Sequence, residues 1–191
     1  EQFVSQVDRI VWRYKLAPET INLPAKPGVP EIQVFSIHLK TPELHHDVLR
    51  CIDSAVHYPI VFELVHGAEA EARTQMIAAY KRPIQADASQ WVLSEYFTTD
   101  WLPATTARGA LPVALDLADL YEQILYRLLP VPVRANESLS DLLARVEQLA
   151  AKRREVSKTE ARLAKAKQFN RKVEINSTLR QLRAELQGLL T

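Results

Sequence analysis

Cysteine and glycine are scarce in this sequence, and their scarcity removes several classes of site. Cys51 is the only cysteine among 191 residues, so no disulfide forms within the chain and a reducing compartment is expected. Because Cys51 stands among apolar residues of a predicted helix, we expect its thiol to be buried. The four glycines fit neither the GxxxxGK nor the GxGxxG phosphate-binding pattern. The sequence therefore predicts no nucleotide-hydrolysing site.

Long apolar runs are missing as well. No stretch of about 18 apolar residues occurs, so no membrane-spanning helix is predicted. The first ten residues, EQFVSQVDRI, have neither the basic n-region nor the apolar h-region of a secretion signal. We therefore expect a cytoplasmic protein.

The patterns that mark common catalytic and metal sites are absent too. The sequence has no HExxH helix and no GxSxG nucleophile turn. His45, His46 and Asp47 are adjacent, but neighbouring residues on a helix point about 100° apart and do not converge on a metal ion. We predict no catalytic residue, no metal and no cofactor.

One enzyme alternative stays open, a degenerate metal-dependent nuclease. Such enzymes commonly place a carboxylate two residues before a lysine on a strand, and no lysine of this chain has one there. The nearest substitute is Glu63 with a second carboxylate, Asp53 or Asp87. In a hairpin around Gly67, Glu63 would lie opposite residues near Thr74. Enzymatic activity is therefore left unassigned, with the balance against it.

The first two thirds of the chain predict an α+β domain over residues 1–132. A helical stripe covers residues 2–14, and Thr41-Pro42 would open a second helix. Four segments read as strands: EIQVFSIHLK, PIVFELV, ARTQMIAAYKR and QWVLSEYFTTDWL. A third helix follows in LPVALDLADLYEQILYRLLP. This order favours a small, largely antiparallel sheet with flanking helices, in which only the first two strands could be parallel.

The first two strands and the helix between them should share one core. The apolar residues that we expect to be buried together there are Phe35, Ile37, Leu49, Ile52, Ile60, Phe62 and Leu64.

Residues 133–191 predict a separate helical segment. Neither glycine nor proline occurs from Val133 to Gln187, and Ser138 to Asp141 forms a capping box. The apolar repeat that runs to Leu163 does not share a register with the repeat that begins at Ile175. This slip predicts a bend there, which gives a helical hairpin, although one long helix in a dimeric coiled coil remains an alternative.

Positive charge is concentrated in that same segment. Residues 137–190 carry twelve Lys/Arg and seven Asp/Glu, whereas the whole chain has a net charge of only +1. A basic cluster surrounds one aromatic residue inside the predicted bend, and such a cluster can bind a partner protein or nucleic acid. The residues predicted to form this interaction surface are Lys165, Lys167, Phe169, Arg171 and Lys172.

Several segments together resemble the bacterial family catalogued as domain of unknown function 4391. They are HYPIVFELVHG, MIAAYKRP, QWVLSEYFTTDWLP, LYEQILYRLLP and, most specifically, KQFNRKVEIN. The resemblance covers nearly the whole chain, with one departure at Ala166, where the family pattern has Glu. It implies an accessory or adaptor role in a restriction-like or phage-defence system. It also implies a helicase or DNA methyltransferase of the same gene cluster as partner. Further candidates are DNA, which the basic cluster suggests, and a second copy of the chain, which the coiled-coil alternative suggests.

Overall fold

The computed structural model describes residues 5–68, 71–84 and 90–190. Asp87, one carboxylate of the nuclease alternative, lies outside the described residues. The chain forms two compact units, Glu1–Leu128 and Leu129–Thr191. The first contains a sheet with helices and the second contains two long helices. The predicted α+β class with a C-terminal helical segment is therefore confirmed.

Within the described residues, six strands form one sheet in the first unit. They are β1 (Val7–Leu16), β2 (Ile32–Leu39), β3 (Ile60–His66), β4 (Arg73–Pro83), β5 (Trp91–Thr98) and β6 (Leu102–Pro103). The strand order is β1-β2-β3-β4-β5, and β6 also pairs with β4. The helices are α1 (Pro18–Ile21), α2 (His46–Ala55), α3 (Leu117–Leu128), α4 (Leu139–Lys165) and α5 (Phe169–Leu190).

The helix predicted over residues 2–14 is wrong. Residues 2–4 lie outside the described part of the chain, and Val7–Leu16 forms β1, which pairs antiparallel with β2. The helical spacing is real, but the segment VDRIVWRYKL is also rich in β-branched and aromatic residues, which favour a strand. Pairing with β2 satisfies the backbone N–H and C=O groups on one side of β1. This tertiary pairing outweighs the local preference for a helix.

The predicted parallel crossover is confirmed, because β2 and β3 are parallel and α2 lies between them in the chain. The start of α2 differs from the prediction. Thr41 donates its hydroxyl to the carbonyl of Glu43 at 2.8 Å, in a turn. The helix begins only at His46, where the His45 ring accepts a hydrogen bond from the Asp47 N–H at 3.3 Å.

Cys51 is exposed, so the prediction of a buried thiol is wrong. α2 buries Val48, Leu49 and Asp53. At 100° per residue, Cys51 is turned about 200° away from Leu49 and lies on the outer face of the helix.

The predicted core is confirmed. Ile37, Leu49, Ile60, Phe62 and Leu64 belong to one buried cluster. Phe35 and Ile52 are half-buried and pack against it.

The two faces of the sheet carry different helices. Phe62 belongs to the core cluster with the buried residues of α2, so one face packs on α2. Tyr80 points to the opposite face, where its ring stacks on Tyr121 of α3 with 6.2 Å between ring centroids. The Tyr121 hydroxyl also accepts a hydrogen bond from the Lys81 N–H at 3.0 Å, which fixes α3 on β4.

The second unit is an antiparallel helical hairpin, as the phase slip predicts. The ion pairs between α4 and α5 run in opposite order along the two helices: Lys152 meets Glu185 at 2.8 Å and Glu160 meets Arg183 at 2.7 Å. Ser138 is the N-cap of α4, because its hydroxyl accepts a hydrogen bond from the Asp141 N–H at 3.2 Å. Among the described helices, none is both long enough and apolar enough to cross a membrane.

Candidate functional site

The hairpin bends where the two apolar repeats lose register. α4 ends at Lys165, and Ala166 takes an extended conformation with φ −72° and ψ 127°. The Ala166 N–H donates to the carbonyl of Leu163 at 3.2 Å, which closes the last turn of α4. α5 then begins at Phe169. The tip of the hairpin, defined here as residues 165–172, therefore contains a reversal only a few residues long.

All five residues of the predicted interaction surface lie on this tip and all are exposed: Lys165, Lys167, Phe169, Arg171 and Lys172. Phe169 is 78% exposed, so its ring is not packed against the partner helix. A large aromatic side chain left in water at a helix reversal gains no burial energy from the fold of this unit. Folding alone does not account for its presence there.

The charges on the two sides of the tip differ in their effect on the helices. Arg162 and Lys165 occupy the last turn of α4, where positive charge favourably meets the negative end of the helix dipole. The first turn of α5 contains no acidic residue, and Arg171 and Lys172 stand close to its positive end. Cations at that end oppose helix stability, so the tip concentrates positive charge at a cost to α5.

Acidic residues neutralise little of this charge. Arg171 pairs with Glu174 at 2.8 Å, but both side chains are more than half exposed and such pairs contribute little. A shallow cavity of about 130 Å³ lies beside the tip, and its walls include Arg162, Arg171 and the buried Ile175. The tip and its flank therefore present a basic surface with an apolar element.

A buried arginine ties the opposite end of the hairpin together. Arg145 donates to both carboxylate oxygens of Glu137 at 2.7 Å, to the Pro132 carbonyl at 2.7 Å and to the Leu189 carbonyl at 2.9 Å. Arg134 donates to the Gly188 carbonyl at 2.6 Å. The hydrogen bonds from Arg145 hold the pKa of Glu137 well below its usual value, at about 2. The last carbonyls of α5 are thus capped by arginines from the start of the unit.

A second cluster of titratable groups lies in the first unit. Asp53 of α2 accepts a hydrogen bond from the Tyr96 hydroxyl, and its carboxylate is 3.5 Å from the Lys81 ammonium. Lys81 is 3% exposed and also donates to the carbonyls of Asp53 and Val56, at the end of α2. Burial raises the pKa of Asp53 and lowers the pKa of Lys81. Lys81 is committed to capping a helix and is not free to polarise a water molecule.

Two carboxylates of the nuclease alternative, Asp53 and Glu63, do not converge. Asp53 bonds to Tyr96, which belongs to the core cluster on the α2 face of the sheet. Glu63 follows Phe62 on β3 and therefore points to the opposite face, where it accepts a hydrogen bond from Arg108. It lies opposite Met76 of β4, two residues from Thr74. Across the described residues, no three His, Cys, Asp or Glu side chains come close enough to hold a metal ion.

The sequence predicts the tip, but it does not predict the Arg145 and Lys81 clusters. Arg145 stands among the apolar positions of α4, and a lone basic residue beside Val146 and Leu142 is the signal that could have marked a buried pair. Lys81 carries a weaker signal, because a lysine inside the apolar run MIAAYKRP has to find partners once the strand is buried.

The comparisons with known proteins identify the family. The model of the family described as Domain of unknown function (DUF4391) matches residues 1–186. No curated protein and no solved structure matches the chain. The chain belongs to the DUF4391 family.

Proposed function

We propose that this member of the DUF4391 family is a cytoplasmic, non-catalytic accessory protein of a DNA-directed system, restriction-like or phage-defence in kind. The hairpin tip, residues 165–172, is its surface for a partner protein. The observation that carries the proposal is the exposure of Phe169 inside a group of four basic side chains. Aromatic residues that become desolvated on binding dominate interface energies, and charges around them guide the encounter.

A partner protein fits the tip better than a nucleic acid does. Binding of a single strand generally uses several stacked rings, and the tip offers one. An exposed aromatic ring with a basic rim instead suits a pocket with an acidic edge. A helicase or DNA methyltransferase of the same gene cluster is the partner we propose, and DNA is the second candidate ligand. A second copy of the chain would bring two basic tips together, and their charges would repel.

Two variants separate the aromatic contribution from the charge contribution at the tip. In Phe169→Ala we expect affinity for the partner protein to fall about 10-fold or more, because a desolvated aromatic anchor is lost. In the quadruple variant K165Q/K167Q/R171Q/K172Q we expect mainly a slower association and a weaker salt dependence. The partner is first captured from native cells and identified by mass spectrometry, and the affinities are then measured by calorimetry with the purified partner.

The matched control is the quadruple variant R153Q/R154Q/K158Q/R180Q. It removes the same charge from exposed positions of the same hairpin away from the tip, and its affinity should stay close to wild type. If Phe169→Ala binds as tightly as wild type, the tip is not the protein interface. If the tip charge variant instead weakens DNA binding for all sequences alike and flattens its salt dependence, the tip binds nucleic acid.

A further inference from the structure

The edge strand β1 leaves three large apolar side chains in water. Ile10 is 37% exposed, Trp12 is 61% exposed and Tyr14 is 53% exposed. β1 pairs with β2 on one side, and within the described residues no strand pairs with its other side. These side chains gain little burial energy from the fold of this unit. Their exposure calls for a binding role.

Basic side chains lie near these apolar side chains on the same strand. Arg9 and Arg13 are exposed, and neither forms an ion pair among the described residues. The guanidinium of Arg13 lies 5.8 Å from the centre of the Tyr14 ring. Lys15 is different, since it is held by Glu19 at 2.8 Å and Glu31 at 3.0 Å.

The register with β2 shows how the rings are presented. Trp12 lies opposite Phe35, whereas Tyr14 lies opposite Val34 after an irregularity in the strand. Facing residues of paired strands share one side of the sheet, so the two rings leave the edge on opposite sides, with Arg13 between them. The extra residue also increases the local twist of the strand.

The same irregularities argue against an added β-strand as the occupant. The register of β1 shifts between Val7 and Arg9 and again between Trp12 and Tyr14. A partner strand needs evenly spaced backbone donors and acceptors, and bulges with arginines on an edge are devices that block such pairing. Rings and guanidinium groups, in contrast, suit a flexible polyanion whose bases can stack one at a time.

From this arrangement we propose that β1 binds single-stranded nucleic acid. Trp12 and Tyr14 stack on bases, and Arg9 and Arg13 contact the intervening phosphates. Asp8 is the single acidic residue of the strand and leaves the edge net positive. This site goes beyond the proposed function of the hairpin tip and does not depend on it, since β1 and the tip belong to different units.

The test uses the purified full chain and a fluorescein-labelled oligo-dT of about 20 nucleotides at low salt. We expect Trp12→Ala and Tyr14→Ala each to weaken binding about 5-fold or more, whereas Trp12→Phe keeps most of the affinity. R9Q/R13Q should reduce the slope of log K against log salt by about 1.4, as expected for the loss of two phosphate contacts on a single strand. Oligo-dT should also quench tryptophan fluorescence in the wild type, and much less in Trp12→Phe.

The control variant is R153Q/R154Q, which removes two exposed arginines outside β1 and outside the tip and should bind oligo-dT as the wild type does. Circular dichroism confirms that each variant is folded. The proposal is overturned if the wild type does not bind oligo-dT, if the β1 variants bind it unchanged, or if R153Q/R154Q loses as much affinity as R9Q/R13Q. Equal competition by polyglutamate would also overturn it, because the edge would then prefer acidic chains of any kind. None of these results bears on the tip as a protein interface.

Discussion

Phe62→Ala should lower the free energy of unfolding by about 3–5 kcal/mol, the usual cost of truncating a large buried aromatic residue. Phe62 is fully buried in β3. Its ring centre is 6.5 Å from that of Phe35 and 6.5 Å from that of Tyr96, and its backbone lies opposite Ile77. Neighbours from three other strands surround the ring, so the structure cannot easily collapse into the cavity and most of the cost remains.

Phe169→Ala is the matched control, because it makes the same chemical change at an exposed position. We expect it to change the free energy of unfolding by less than about 0.5 kcal/mol. Denaturant titration of each purified variant, followed by circular dichroism, gives both values. A loss below about 1 kcal/mol for Phe62→Ala would show that β3 is not central to the core.

Arg145→Met should destabilise the hairpin by about 3–5 kcal/mol, since it breaks a buried ion pair from one side. The variant leaves the Glu137 carboxylate buried without its cation and leaves the Leu189 and Pro132 carbonyls without a donor. Loss of helical signal in denaturant measures the effect. Arg153→Met, at an exposed position of the same helix, should be close to neutral.

A double variant tests whether the cost comes from the orphaned carboxylate. In E137M/R145M both charges are gone, and we expect part of the stability lost in Arg145→Met to return, because a buried pair often contributes little net stability. If the double variant is no more stable than Arg145→Met alone, the cost comes from the lost hydrogen bonds to the carbonyls and not from the orphaned carboxylate.

The same pair gives a dependence on pH. The pKa of Glu137 falls from an ordinary value of 4.5 to about 2 in the folded chain, chiefly through its hydrogen bonds with Arg145. The folded state binds the proton less readily, so Glu137 contributes its full stabilisation above about pH 4.5 and loses it as the pH falls towards 2. Glu137→Gln should therefore show a smaller drop in unfolding free energy over this range than the wild type. Equal drops would show that Glu137 is not held as an anion.

The sequence predicts secondary structure best where the apolar residues fit only one periodicity, either that of a helix or that of a strand. Strands β2 and β3 are short runs of β-branched and aromatic residues between breakers, and the hairpin bend follows from a loss of register between Leu163 and Ile175. The prediction for β1 is wrong because its residues fit both a helical and a strand period, and pairing with β2 decides between the two. The predicted start of α2 is too early because Thr41-Pro42 has the pattern of a helix cap. In the folded chain His45 supplies the cap instead.

The candidate sites also differ in how far the sequence predicts them. The tip could be found because its residues are neighbours in the chain, and their charge pattern is visible without the fold. The pair of Asp53 and Lys81 joins a helix to a strand across 28 positions, so only the folded sheet brings it together. The sequence does not predict the surface of β1, because the helix predicted for this segment would place Tyr14 on a buried stripe.

Photocrosslinking from position 169 tests the tip most directly. The full chain carrying Phe169→benzoylphenylalanine is expressed in its native cells, irradiated and recovered, and the same probe at Arg153, exposed on α4 away from the tip, serves as the control. We expect one protein adduct from position 169 that resists nuclease treatment, and none from position 153. No adduct at 169, the same adducts at both positions, or an adduct that nuclease removes would contradict the hairpin tip as the surface for a partner protein.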